Sequence, residues 1–406
     1  MTVTTSARTR HTAAQVHRRA WWGVAAAVFA IAWGGNEFTP LLVMYKNDGL
    51  PGTAVDLLLF YYVLGIVPAM LIGGPLSDRF GRRTLLLPAP LIAATGSLLL
   101  ACGGGSVALL ALGRVLSGVA LGLAMAVGGS WLKELSPPGR GPRRSAMSLT
   151  GGFAVGAGVA GVLAQWGPLP DVLPYLVNAT LCLGAAAWIA DAPETVARRD
   201  GRDGLLSELA IHGLREPRFR QVVLPTAVWV FACSATAYAV LPSLMAEQVP
   251  GAPIAFSALL TVITLGCGFA IQSAARRIDR PGTARASVVG LLLVICGLLM
   301  AAFTFGTLTL WAAILTTVVL GAAYGITLVA GLQEVDRMAG PRDLAGLTAV
   351  FYSLAYLGFG LPALLSALNE RFGLGYPVMY LGLACLAACC LPVVLRNYRN
   401  AIVPIP

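Results

Sequence analysis

The spacing of its apolar runs is what most constrains how this chain can fold. A bilayer core needs about 20 apolar residues per helix. A window of that length finds twelve candidate spans, at about 20–45, 54–76, 84–102, 106–131, 145–166, 171–190, 220–245, 254–275, 286–305, 308–332, 344–368 and 373–395. Charge is gathered in the gaps and makes up only 11% of the 406 residues, where a soluble protein carries about 25%. So little charge cannot cover a water-facing surface. An all-α integral membrane protein is expected. The first run continues from Ala20 to about Tyr45, too long for a cleaved signal core, and reads as the first span.

The net charge of +10 does not point to nucleic acid, because the basic residues sit between apolar runs instead of forming one basic face. They report topology. With the N-terminus placed inside, 25 of the 28 Lys and Arg residues fall on the cytoplasmic side, as the positive-inside rule requires. Lys46 and Arg371 fall outside, and Arg114 lies within a span. Both termini are therefore expected to be cytoplasmic, in a multi-pass protein of the cell membrane. All eight cysteines lie in apolar segments, where Cys acts as a small hydrophobe, and the three histidines lie outside them. No metal site or disulfide is expected.

The longest polar stretch, 191–218, reads as a cytoplasmic linker between halves at 1–190 and 219–406. The halves echo each other. Asp78-Arg79-Phe80-Gly81 returns as Asp279-Arg280-Pro281-Gly282 at an offset of 201, and Lys133-Glu134-Leu135 as Gln333-Glu334-Val335 at 200. A repeat of half the chain suits two pseudo-symmetric six-helix bundles, an architecture of secondary transporters.

The gap between spans two and three reads G-P-L-S-D-R-F-G-R-R over 74–83. It resembles the signature loop of the major facilitator superfamily, G-x-x-x-D-R-x-G-R-R, through Gly74, Asp78, Arg79, Gly81, Arg82 and Arg83. Glycine lets a short turn bend, and Arg fixes topology. A carboxylate serves neither purpose. The resemblance implies that Asp78 engages Arg and the N-terminus of span eleven, closing the halves on the inside. Asp279, Arg280 and Gly282 are the second-half counterpart. It further implies alternating access of two bundles about a central cavity, a small-molecule substrate, protons as energy source, no cofactor and a monomer.

Ionisable residues at membrane depth are functional candidates. Glu37 in span one and Arg114 in span four stand out. Glu37 lies eight residues from the outer end at Tyr45, and Arg114 seven from Val107, or ~12 and ~10 Å at the helical rise. Spans one and four line the cavity in this superfamily, so the two are expected to approach each other, directly or through water. Arg114, Gly118 and Gly122 resemble the R-x-x-x-G-x-x-x-G pattern of proton-driven members. Two readings stand: a titrating Glu37 partnered by Arg114, or an ion pair that only orders two helices. Pro40 frees the carbonyl of Asn36 beside Glu37. Trp33 shares the face of Glu37 and either stacks on substrate or packs, and Tyr238 and Tyr324 carry the same two options in the second half.

Drug–proton antiporters carry G-x-x-x-G-P-x-x-G-G in span five. Gly152, Gly156 and Gly161 are in register, but Ala157 and Ala160 depart from it. The sparse charge favours a lipophilic or weakly polar substrate, and proton-driven export is the preferred direction. Proton-coupled uptake is the alternative, because Pro193-Glu194-Thr195 resembles an element of sugar porters. A membrane-embedded transferase or a sensor fits less well: there is no G-x-S-x-G, no buried His and no soluble signalling domain. Without a Walker A sequence ATP is not the direct energy source.

Overall fold

The computed structural model describes residues 4–196, 212–280, 282–340 and 344–399, with side chains from Ala20 onward. Twelve apolar helices run back and forth: α1 (Ala20–Asn47, continuous with a helix starting at Thr4), α2 (Gly52–Phe80), α3 (Arg82–Ala101), α4 (Val107–Glu134), α5 (Gly141–Trp166), α6 (Leu173–Ile189), α7 (Phe219–Leu244), α8 (Pro253–Ile278), α9 (Arg285–Thr307), α10 (Leu310–Met338), α11 (Gly346–Phe372) and α12 (Tyr376–Arg396). All but α6 are long and apolar enough to span a bilayer, and α6 has 17 apolar residues. Each expected span has its helix. Residues 197–211, most of the expected linker, lie outside the described residues, as do the side chains of His11, His17 and His212 and all of Arg342.

Small residues set the packing. In the first half α2 lies against α4: a Cβ added at Gly118 would fall 2.1 Å from the Tyr62 carbonyl oxygen, and one at Gly65 2.1 Å from that of Val115. In the second half α8 lies against α10 in the same way. A Cβ at Gly325 would fall 2.2 Å from the Gly268 carbonyl oxygen, and one at Gly321 2.7 Å from that of Thr264. Gly65, Gly118 and Gly122 thus correspond to Gly268, Gly321 and Gly325, all at an offset of 203. Membrane helices gain attraction by such close backbone approach, since lipid offers no hydrophobic drive between them. The repeat therefore reaches the packing as well as the loops. It shows in backbone conformation too: Gly81 and Gly282 both have positive φ, +99° and +78°, which a side chain resists.

α1 is enclosed. Its most apolar stretch is 94% buried within the protein, against 28% for α12. It packs on α5 and α6, with Gly152 and Gly156 of α5 closing on the backbone of Phe29 and Trp33. The halves meet where Gly161 of α5 faces Ala258 of α8 and where α2 lies along α11. Among the described residues four helices depart from regular geometry, α3 by a break at Leu87–Pro88. α4 and α7 widen into π-type turns at Ala124–Gly128 and Thr236–Val240, and α11 tightens into a 3₁₀ turn at Leu357–Gly360.

Candidate transport site

Glu37 is fully buried on α1. Its Oε1 accepts a hydrogen bond from Ser97 Oγ of α3 at 3.1 Å, while Oε2 has no hydrogen-bond partner among the described residues. Ser97 Oγ also lies 2.8 Å from Asn178 Oδ1 of α6, and Asn178 Nδ2 donates to the Ala30 carbonyl at 2.8 Å. Gly34 makes room for this amide, because a Cβ there would sit 2.7 Å from Asn178 Oδ1. The carboxylate thus turns toward α3 and α6, inside the first half.

Arg114 is also buried. Its guanidinium lies over the Tyr62 and Phe38 rings, 4.1 and 4.7 Å from their centroids. Nη1 donates to the Gly35 carbonyl at 3.2 Å and Nε to that of Leu58 at 3.4 Å. Glu37 and Arg114 act on each other electrostatically without a direct ion pair between them. The direct form of the expected approach is therefore absent, and the water-mediated form stands as a proposal. Each charge has nearer partners: the Ser97 hydroxyl for the acid, two carbonyls and two π faces for the base. Both burials are tolerable for that reason.

Pro40 does not end α1, which runs on to Asn47. Asn36 and Trp33 are buried beside Glu37. Trp33 packs edge-on to Phe29 at 6.0 Å, and its Nε1 has no hydrogen-bond partner among the described residues. The indole N–H and the second carboxylate oxygen lie one helical turn apart, close enough for the indole to act on the acid. Tyr238 and Tyr324 join an aromatic cluster built on Phe231, which stacks on Tyr356 at 4.4 Å and Phe359 at 5.0 Å and lies 5.8 Å from Tyr324. Tyr238 is 6.3 Å from Phe359. Tyr356 reaches across to the first half, where its hydroxyl donates to Met125 Sδ at 3.3 Å. The cluster occupies the irregular turns of α7 and α11 and meets the one in α4.

Among the described contacts, the signature loop pairs with Glu134 and Glu194. Asp78 is exposed and pairs with Arg82 at 2.5 Å, and Arg82 also reaches Glu134 at 3.2 Å. The expected contact of Asp78 with the start of span eleven is not among the described contacts, and residues 341–343 lie outside the description. Arg82 supplies the expected arginine partner. Arg79 stacks over Phe80 at 5.7 Å, and no neighbour crowds Gly74. Glu194 closes the loop by accepting from the backbone N–H of Arg82 and Arg83, each at 2.9 Å. Partial burial alone would raise its pKa, but these bonds, with those from Thr195 and Val196, hold the carboxyl below its usual range. Thr195 Oγ1 bonds to Glu134, and Arg83 donates to the Ala190 carbonyl at 2.5 Å.

The second half builds a buried version. Asp279 pairs with Arg337, which reaches Glu334 at 3.3 Å. Glu334 then takes Arg218 in a bidentate pair at 2.5 and 2.8 Å. Arg280 is exposed. Sequence reasoning placed Arg218 with the linker charges; the signal for its partner was the position of Glu334, matching Glu134 in the repeat. It also passed over Asp56, because that residue follows the Pro51–Gly52 turn at the very start of span two. Asp56 is buried and pairs with Lys46 at 2.7 Å.

Twelve apolar helices in two related halves, with a buried acid and a buried guanidinium, define a multi-pass membrane transporter. The family model described as Major Facilitator Superfamily matches residues 23–361, and the chain belongs to that superfamily. A glucose transporter of Staphylococcus epidermidis is 31% identical over 97 residues, 24% of this chain and 22% of the relative. A quinolone resistance protein of Staphylococcus aureus is 25% identical over 142 residues, 34% of this chain and 36% of the relative. The matches thus span well under half the length of these relatives. Among solved structures, the nucleoside transporter NupG aligns with a TM-score of 0.74 at 13% identity, over 94% of this chain and 99% of that one. A D-xylose–proton symporter aligns at 0.70 and 16%, over 95% and 97%. The fold is theirs, and the chain is a transporter and not an enzyme.

Proposed function

We propose that this protein is a proton-driven exporter of lipophilic or weakly polar small molecules, working as a monomer in the cell membrane with both termini cytoplasmic. Two bundles, 1–190 and 219–406, would rock about their interface, joined by the linker at 191–218. The observation that carries the proton reading is Glu37, a buried carboxylate. An acid at membrane depth is costly and a functional candidate by default, and only one of its oxygens is held by a side-chain hydroxyl. The aromatic cluster around Phe231 supports a lipophilic cargo, since ring faces bind apolar and cationic groups without demanding a charged clamp. The quinolone resistance relative supports export.

The test is substrate-dependent proton flux in proteoliposomes, screened over lipophilic compounds. Glu37→Gln is expected to abolish proton-coupled movement at normal expression. Full coupled activity in that variant removes the acid from the mechanism. Proton-coupled uptake is the second reading, favoured by the docked Glu194–Thr195 element and the glucose-transporter relative. Vesicles that accumulate substrate with the proton gradient, instead of against it, would select it.

A further inference from the structure

At one end Asp78 pairs with Arg82 and Asp279 with Arg337, each pair inside a single half. At the opposite end the bonds run between halves. Asp56 Oδ1 of α2 pairs with Lys46 of α1 at 2.7 Å, while Oδ2 accepts from Ser366 Oγ of α11 at 2.5 Å. Lys46 Nζ donates to Ser243 Oγ of α7 at 3.3 Å. Beside them the Thr53 N–H donates to Glu370 of α11 at 3.2 Å. Gln165 of α5 clasps the start of α8, donating to the Gly251 carbonyl at 3.1 Å and accepting from the Ile254 and Ala255 N–H at 2.9 and 3.1 Å. Asp56 is 2% exposed.

The division of partners is informative. Taking the cation from a buried carboxylate such as Asp56 leaves it uncompensated, at a cost of several kcal/mol. Both ions belong to the first half, and the second half meets this pair with the hydroxyls of Ser243 and Ser366. Opening this end would keep Lys46 and Asp56 together and break hydrogen bonds that water can replace, each with a modest net value. A contact built this way holds firmly yet releases without stranding a charge. Static packing would need neither ion.

We propose that the Lys46–Asp56 pair, engaged by Ser243 and Ser366, is the clasp that holds this end shut and sets the balance between the two access states. Only its assignment to the outer side rests on the orientation proposed above. The charge on Asp56 makes the Ser366 bond a charge-assisted one, roughly twice as strong as a neutral hydrogen bond. Neutralising the acid or deleting the hydroxyl therefore shifts the population toward the arrangement open at this end.

The test uses the full-length chain in nanodiscs, with genetically encoded spin labels at the exposed positions 48 and 247, one on each half. Pulsed dipolar spectroscopy reads the distance between them. Asp56→Asn and Ser366→Ala are each expected to raise the long-distance fraction about tenfold relative to the short one, equivalent to about 1.4 kcal/mol. Ser366→Thr, which keeps the hydroxyl, should leave the distribution as it was. Unchanged distributions in both Asp56→Asn and Ser366→Ala overturn the proposal. If Asp56→Asn does not reach the membrane, Ser366→Ala decides from the other side of the same bond. The readout needs no transported compound, so failure of the export reading and failure of the clasp are separately visible.

Discussion

Arg114 shows how a single residue can carry a buried charge without an acid against it. Its planar guanidinium fits between two rings and still reaches two carbonyls, geometry that an ammonium cannot copy. Arg114→Lys keeps the charge and loses the stacking and the fork. It is expected to destabilise the first half by about 2 kcal/mol, the scale of a desolvated cation–π contact, seen as a lowered Tm in detergent, and to slow transport at least tenfold. Equal Tm and rate would mean that only the positive charge counts. The sequence made this residue conspicuous, because an Arg within an apolar run has few innocent explanations. Its partners were illegible there: Gly35, Leu58, Phe38 and Tyr62 read as ordinary apolar span residues until the fold brings their carbonyls and ring faces together. The same holds for Ser97 and Asn178, two small polar residues with no pattern of their own.

At the scale of the helix, glycine spacing decides who packs on whom. Gly325→Ala would drive a Cβ to 2.2 Å from the Gly268 carbonyl oxygen, and overpacking of that kind costs about 1–3 kcal/mol. Gly184→Ala in α6 meets nothing within 4 Å and should be neutral or slightly stabilising, as Ala favours helix by up to ~1 kcal/mol. Thermal unfolding of the two variants compares them directly. The loops yield a pH prediction. The Glu194 carboxyl is held low by backbone N–H groups, so its contribution is present above the usual carboxylate range and is lost as pH falls through its folded-state value. Trp131 Nε1 donates to the Pro193 carbonyl at 3.1 Å, so a fluorine label on Trp131 should report release of this segment in acid. Glu194→Gln should show the released signal already at neutral pH. The helices themselves were legible from apolar run length, and the repeat from the Asp-Arg-x-Gly echo. Which arginine pairs with Asp78 was not, since Arg79, Arg82 and Arg83 all stand near it in sequence and only coordinates single out Arg82.

For the whole molecule, the interface between halves combines close packing with a few polar bonds. Gly161 of α5 sits where a Cβ would fall 2.2 Å from that of Ala258 on α8. Gly161→Val is expected to wedge the two helices apart and lengthen the distance between labels at positions 48 and 247, in the same sense as Ser366→Ala. A shortened or unchanged distance would show that the halves absorb the wedge elsewhere. The large-scale plan was readable from the chain because two copies of one pattern must fold alike. Contacts between the copies were not, because Asp56 and Ser366 stand 310 residues apart and no local signal links them.

The irregular turns of α4, α7 and α11 have a consequence for how such a body can flex. A π-type turn breaks the regular i→i−4 ladder and leaves carbonyl groups with spare capacity. These turns converge around Phe231, Tyr356 and Met125. Bending concentrated there would let the helix ends swing while their middles stay in register. It would also offer a passing solute main-chain oxygens that no side-chain substitution can remove.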